Sequence, residues 1–318
     1  MFEVTFLGTA ASTPSAERGL PAVLVQAGGE RFLIDCGEGT QRQMLRAGSG
    51  FRRLGHVLLT HAHLDHVLGL GGLIATLGLM DLRETLRICG SRQTMHFVAQ
   101  YLGSLFPLPR APVPLEFVEL QPGPVLATGQ FTVSCFLVKH RGTESLAYRF
   151  DTVTRAHLDG DRLAALGVPA GPLRAELAAG RSVVLPDGRR IDPESVQGPP
   201  AAGTSLAVIG DAEDVDTLIG PVAGADALVI EATFLERDAA LAAQRGHLTA
   251  AEAGRLAAAA KVGALFLTHI SGRYDPAEIA AEAGRFFAAV SVASDFDRVS
   301  VTASSRQPAA PQPARRPI

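Results

Sequence analysis

Short apolar runs separated by turn-forming residues predict a series of strands through the N-terminal half of the chain. Residues 2–7, 22–26, 31–34, 56–59, 86–89, 115–120, 131–138 and 145–150 carry β-branched or alternating patterns, with Gly-rich turns such as Ala27-Gly28-Gly29 between them. Helical spacing follows the fourth strand, around 67–79, and the fifth, around 93–105. In the C-terminal half, apolar strands at 205–210, 227–230, 264–267 and 298–301 alternate with helical stretches near 214–222, 250–261 and 276–289. Strands alternating with helices argue for an α/β architecture. With a sheet and outer helices from each half, this is a four-layer αβ/βα sandwich.

Two segments break the pattern. From about 152 to 203 the chain is punctuated by Gly167, Gly171, Gly180, Gly188 and Gly198, with six prolines among them, which prevents long regular elements. It reads as an inserted flexible arm with short helices at 161–166 and 173–179 and a hairpin turning at Asp187-Gly188. An insert of about fifty residues is too long for an idle loop. Residues 303–318, rich in Pro, Ala and Arg, read as a disordered tail. The expected organisation is thus one domain over 1–302 carrying the arm at 152–203, then the tail.

Composition narrows the class. A chain of 318 residues, 47% hydrophobic and 19% charged, can bury one large or two small cores. No run of about 18 apolar residues is present, so no membrane span is expected. The N-terminus lacks a basic stretch before a long apolar run, which points to a cytoplasmic protein. Cys36, Cys89 and Cys135 lie in apolar surroundings and outside any C-x-x-C pair, so they read as buried free thiols. The net charge of −3 excludes nucleic-acid binding by a whole-protein positive field. An RNA partner has to be held by a local surface.

The chemistry concentrates in Thr60-His61-Ala62-His63-Leu64-Asp65-His66. If strand geometry continues, His61 and His63 share a direction and reach one ion, while Asp65 and His66 lie past the bend and reach a second. Imidazole and carboxylate are the donors zinc takes in hydrolytic sites. A polar loop with coincidental histidines is the bland alternative, and the H-x-H-x-D-H spacing outweighs it.

On these residues the chain resembles the metallo-β-lactamase superfamily. The resemblance implies His140, after the apolar strand ending at Val138, as a third ligand beside His61 and His63. It implies His269, after Phe266-Leu267-Thr268, as the partner of Asp65 and His66, with Asp211 bridging two ions. Taken alone, His140 and His269 would read as surface or satisfied core residues; their order after apolar strands decides. Two Zn2+ per subunit are implied, with Mn2+ as the alternative. Such a pair activates water and clamps a phosphoryl group, and Asp65 could also accept the water's proton.

Further motifs resemble the ribonuclease Z family. They are Phe6-Leu7-Gly8-Thr9-Ala10-Ala11-Ser12-Thr13-Pro14 with Arg18-Gly19, Leu33-Ile34-Asp35-Cys36-Gly37-Glu38-Gly39-Thr40-Gln41, and His247-Leu248-Thr249-Ala250. Glu231-Ala232-Thr233 matches a family box whose leading His is here Ile230, and Ser271-Gly272-Arg273-Tyr274 follows the last ligand. In the arm, Gly167-Val168-Pro169-Ala170-Gly171-Pro172 matches the family's tRNA-gripping element. The resemblance implies a zinc-dependent endoribonuclease that removes the 3′ trailer of precursor tRNA, leaves a 3′-hydroxyl on the tRNA, and works as a homodimer. Glu231 would orient His247, which protonates the leaving oxygen. Ser271, Arg273 and Tyr274 would meet the phosphate, and Gly171 and Pro172 the tRNA.

Each role has a bland counterpart: a helix-entry histidine, a capping carboxylate, a solvent-facing arginine. Arg155, Arg174, Arg181, Arg189 and Arg190 could touch phosphates, but individually each reads as a solvated charge. Leu64 and Ala212 stand where the family often has Gly and Thr, yet no ligand is lost. The rival reading is a hydrolase of a lactone, thioester, sulfate ester or cyclic nucleotide on the same fold. It shares every ligand but has no use for the arm, His247 or Ser271-Gly272-Arg273-Tyr274. A non-catalytic RNA-binding protein on this fold would be expected to lack a ligand.

Overall fold

The computed structural model describes residues 1–82, 84–153, 157–198 and 203–303. Its strands begin with β1 (Phe2–Gly8), β2 (Ala22–Ala27), β3 (Glu30–Ile34), β4 (Leu54–Leu58), β5 (Leu86–Gly90) and β6 (Leu115–Glu119). They continue with β7 (Gly123–Ala127), β8 (Phe131–Val138), β9 (Ser145–Thr152), β10 (Val183–Val184) and β11 (Arg190–Ile191). The last are β12 (Ser205–Val208), β13 (Ala227–Glu231), β14 (Leu265–Thr268), β15 (Val290–Val292) and β16 (Arg298–Val301). One sheet runs β16-β1-β2-β3-β4-β5-β6 and the other β15-β14-β13-β12-β9-β8-β7.

The strands read as nearly continuous apolar runs because both of their faces are covered, and successive side chains go to opposite faces. On β9, Leu146, Tyr148 and Phe150 enter the core between the sheets, while Ala147 joins the outer core. On β12 and β13 the same alternation sends Leu206, Val208 and Val229 inward and Ala207, Leu228 and Ile230 outward. Helices Thr40–Arg46, Gly69–Leu79 and Arg92–Leu105 close the outer face of the first sheet through Met44, Leu73, Ile74 and Val98. Helices Ala250–Ala259 and Pro276–Gly284 close the second through Leu256, Ala257 and Ile279. The expected four-layer sandwich is the observed one.

Two short strands escaped the sequence pattern, and both lie at the edges of the second sheet. β7 begins Gly123-Pro124, a pair that reads as a turn and is tolerated only where a backbone N–H can go unpaired in the ladder. β15 is three half-buried residues. Helices Thr40–Arg46 and Ala239–Arg245 were also not expected, each hidden by short length. The helix expected near 214–222 is broken into Asp216–Leu218 and Ile219–Val222.

The chain divides into two compact units, one formed by Met1–Asp151 together with the chain from Thr204 onward, the other by Thr152–Gly203. The smaller unit has helices Gly160–Ala165, Pro172–Ala178 and Pro193–Val196 and the hairpin β10–β11. Leu163, Val168, Leu177, Val183, Leu185, Ile191 and Val196 form its own buried core. Arg155 and residues 304–318, nearly all of the expected tail, lie outside the described residues.

The centre of the inter-sheet core is aromatic. Phe32 packs edge-on against Phe150 at 5.4 Å and Phe131 at 5.8 Å, and Phe2 meets Phe150 at 6.0 Å. Phe150→Ala is expected to cost about 3–5 kcal/mol, read from urea unfolding; a loss below about 1 kcal/mol would show that this ring does not hold the sheets together.

Candidate metal and catalytic centre

Every candidate ligand sits at or just beyond the carboxyl end of a strand, where open α/β sheets place their sites. β12, β13 and β14 are mutually parallel, so Asp211, Glu231 and His269 emerge at one edge of the second sheet. β3 and β4 are parallel in the first sheet and deliver Asp35 and the segment from Thr60 to His66. His63 caps the short helix Leu64–Val67, whose first turn carries Asp65 and His66. His140 follows β8 directly.

Two sets of donor atoms converge. His63 Nδ1 lies 2.8 Å from His61 Nε2 and 3.1 Å from His140 Nε2. Asp211 Oδ2 faces this set, 3.7 Å from His61 Nε2 and 3.6 Å from His140 Nε2. The other oxygen, Oδ1, is 3.3 Å from both His66 Nε2 and His269 Nε2. Asp65 Oδ2 completes the second set, 3.7 Å from His66 Nε2 and 3.5 Å from His269 Nε2. His66 Nε2, His269 Nε2 and Asp211 Oδ1 are buried and have no hydrogen-bond partner. Buried polar atoms without partners are rare and costly, and three aimed at one spot fit a divalent cation.

The far nitrogen of each buried ring is spoken for, which fixes the tautomer. His66 Nδ1 donates to Asp35 Oδ2 at 2.7 Å, and His140 Nδ1 donates to the Gly246 carbonyl at 2.7 Å. His269 Nδ1 donates to the Thr233 hydroxyl at 2.8 Å, which in turn donates to Glu231 Oε2 at 2.5 Å. His61 Nδ1 is 3.0 Å from the Thr60 hydroxyl, which is bonded to Asp35. Each ring therefore turns Nε2 toward the centre. Gly246 can serve His140 because it ends helix Ala239–Arg245 with φ 68, and a Cβ there would strike Arg141.

Charge supports the same assignment. Burial holds His61, His63 and His140 below the usual imidazole range, so they are neutral donors. Burial also pulls on His66, but Asp211 and Asp35 more than reverse this and raise it well above its ordinary value. Burial raises Asp211, while His269 and His66 more than offset it and keep it ionised. Three carboxylates around so small a volume call for positive charge.

Beside the ligands, His247 Nδ1 lies 3.0 Å from Glu231 Oε1, which also accepts the Ala212 N–H at 2.7 Å. Burial lowers His247, yet Glu231 by charge and hydrogen bond lifts it to about 9. His247 Nδ1 is also 3.8 Å from Asp211 Oδ2, so the ring borders the ligands. A ring that keeps its proton at neutral pH suits a proton donor better than a ligand. The chain is steered into place locally: Thr249 opens helix Ala250–Ala259 with a capping box closed by Glu252.

The remaining expected residues divide. Ser271 is half-buried, and Arg273 is exposed with no side-chain hydrogen bond or ion pair among the described residues. Tyr274 is not brought to the site in the expected way. Its hydroxyl donates to Asp238 at 2.7 Å and its ring packs against Phe234. Gly171 and Pro172 are exposed in the arm.

Sequence reasoning missed the supporting residues. Asp35, a buried residue at φ 58, closes β3 just as Asp211 follows β12, a signal that could have found it. Asp295 had no local signal. It lies far along the chain from its partners, accepting from Thr9 at 2.7 Å, the Gly19 N–H at 2.7 Å and Gln43 at 2.6 Å. These bonds fasten the loop whose Ser12 N–H donates to Asp65 Oδ2 at 3.1 Å.

This fold and this donor set define a metallo-β-lactamase protein: residues 18–143 match the family model described as the metallo-beta-lactamase superfamily. The metallo-beta-lactamase fold protein YhfI of Bacillus subtilis superposes with a TM-score of 0.67 at 21% identity, covering 93% of this chain and 98% of that one. The short form of human tRNase Z gives 0.65 at 23% identity, covering 94% and 99%, a likeness of fold. The ribonuclease Z of Bradyrhizobium diazoefficiens is 58% identical over 301 residues, covering 95% of this chain and 100% of the relative. The chain belongs to the ribonuclease Z family.

Asp35→Asn keeps a residue that accepts the left-handed backbone but loses the charge on His66 Nδ1–H. It is expected to weaken divalent-metal binding about 10–100-fold in a competitive chelator titration. Unchanged affinity would show that Asp35 does not support the centre.

Proposed function

We propose that this chain is a metal-dependent endoribonuclease that removes the 3′ trailer of precursor tRNA and leaves a 3′-hydroxyl on the tRNA. The observation that carries the reading is a complete double set of ligand atoms with a separate His247–Glu231 pair at its border. Membership of the ribonuclease Z family, and an arm-sized unit with its own core, favour RNA over a small lactone, thioester or cyclic nucleotide.

His61, His63 and His140 would hold one ion and Asp65, His66 and His269 the other, with Asp211 shared between the two sets. Two Zn2+ per subunit are assigned, with Mn2+ as the alternative; when bound they supply Lewis acidity and a water of lowered pKa. Asp65 takes at its carboxylate a proton from the water whose oxygen bonds to phosphorus, as the P–O3′ bond to the tRNA breaks. His247 gives its proton to the departing O3′, and Glu231 steadies the imidazolium before that transfer. Ser271 and Arg273 contact the phosphate flanking the cut. Tyr274, tied to Asp238, positions that segment. Gly171 and Pro172 meet the tRNA body. The protein acts in the cytoplasm as a homodimer, with one subunit's arm offering tRNA to the other's centre. No helix among the described residues is long and apolar enough to cross a membrane.

His247→Ala is expected to lower kcat about 10²–10⁴-fold with metal content unchanged; a loss tracking lost metal would make His247 a ligand. Deleting 155–198 is expected to abolish precursor tRNA cleavage while hydrolysis of bis(p-nitrophenyl) phosphate continues. Equal loss of both would remove the arm from substrate recognition.

A further inference from the structure

The turn that carries His140 is held from outside itself. His140 lies between the neighbouring strands β8 and β9. The chain reverses directly after it, with the Thr143 N–H donating to the His140 carbonyl at 2.9 Å. Both residues spanned by that bond have positive φ, Arg141 at 46 and Gly142 at 68. This is the φ pattern of a type I′ hairpin turn, which favours Asn, Asp or Gly at its central positions. Gly142 meets the demand. Arg141 does not, because a Cβ and a long side chain make left-handed backbone unfavourable. Local preference alone therefore does not hold this turn in shape.

Glu213 supplies the missing constraint. It stands two residues after Asp211, and its backbone N–H donates to the Lys139 carbonyl at 2.9 Å. Its Oε2 accepts the Arg141 N–H at 2.8 Å. One residue thus grips the chain immediately before and immediately after His140. The carboxylate is exposed and has no ion pair with a side chain among the described residues. By position it is an ordinary surface charge; by its bonds it belongs to the turn. The same oxygen lies 3.0 Å from where a Cβ on Gly246 would stand. Gly246 is the residue whose carbonyl accepts from His140 Nδ1, and it directly precedes His247. The loops of Asp211, His140 and His247 therefore meet at Glu213. The exit of the turn is fastened separately: Glu144 N–H donates to Gln93 Oε1 at 2.9 Å, and Gln93 N–H donates to Glu144 Oε2 at 3.0 Å. Only the entry, which carries the histidine, depends on Glu213.

Resting on the assignment of His140 and Asp211 to a common ion, we infer that Glu213 is a positioning residue of the metal centre. Its side-chain oxygen acts as a hydrogen-bond acceptor, holds Arg141 in left-handed backbone, and so keeps His140 in register with Asp211, whose Oδ2 lies 3.6 Å from His140 Nε2.

The test is a competitive chelator titration of Zn2+ on the full-length protein and its variants. The parent is expected to show two binding steps per subunit. Glu213→Ala is expected to weaken one step about tenfold. Glu213→Gln, which keeps a side-chain oxygen acceptor without the charge, should stay within about twofold of the parent. Glu213→Ala combined with Arg141→Gly should recover most of the loss, since glycine adopts left-handed backbone unaided. A general loosening of the fold would not be reversed by that second change. Parental affinity in Glu213→Ala overturns the inference. So does a Gln variant as weak as the Ala variant, or a double variant no tighter than Glu213→Ala alone. If Glu213→Ala does not fold, the double variant decides: near-parental affinity upholds the role of Glu213, and a tenfold loss overturns it. His140→Ala isolates the reading beneath. It should lose one step outright, and if it keeps both, the ligand assignment itself falls, a result distinct from any behaviour of the Glu213 variants.

Discussion

A single buried carboxylate sets the terms for the rest of the molecule. Asp211 turns one oxygen to His61 and His140 and the other to His66 and His269. Burying an ionised carboxylate is expensive unless positive charge and donors surround it. The sandwich meets that condition by delivering strand ends from both sheets to one edge. The second sheet brings Asp211 itself, with Glu231 and His269 on parallel neighbours, and the first brings the segment from Asp35 to His66. The support runs through hydroxyls: Thr60 links Asp35 to His61, and Thr233 links Glu231 to His269. Glu231 therefore supports both His269 and His247, so the donor set and the proposed proton donor share one brace.

How much of this was legible depended on distance along the chain. His61, His63, Asp65 and His66 are adjacent in sequence, so their chemistry could be read directly. His140, Asp211 and His269 were singled out by the family resemblance and by the apolar run each follows, and the structure groups them with those four. Asp35 carried the same signal inside the Leu33–Gln41 motif, but that motif gave it no role of its own. The Asp295 network joins residues up to 286 apart, and no local pattern encodes it. Tyr274 was read from its sequence neighbours as a phosphate contact, while its partners in the structure, Asp238 at the hydroxyl and Phe234 at the ring, were invisible in the sequence.

The fold was legible for a related reason. Strands covered on both faces leave long apolar runs, whereas β7 and β15 at the sheet edges are covered less and leave weak ones. In the arm, glycines and prolines marked the turns, but the pairing of its arginines needed the folded unit. Sequence alone gives a charge count; the structure shows that those charges face one another.

The most direct measurement is to incubate the purified protein with a 3′-extended precursor tRNA, with and without chelator, and map both product ends. The account predicts a single chelator-sensitive cut at the acceptor-stem boundary, leaving a 3′-hydroxyl on the tRNA and a 5′-phosphate on the trailer. An intact precursor, alongside metal-dependent hydrolysis of a small phosphodiester, would contradict it and leave only the metal centre standing.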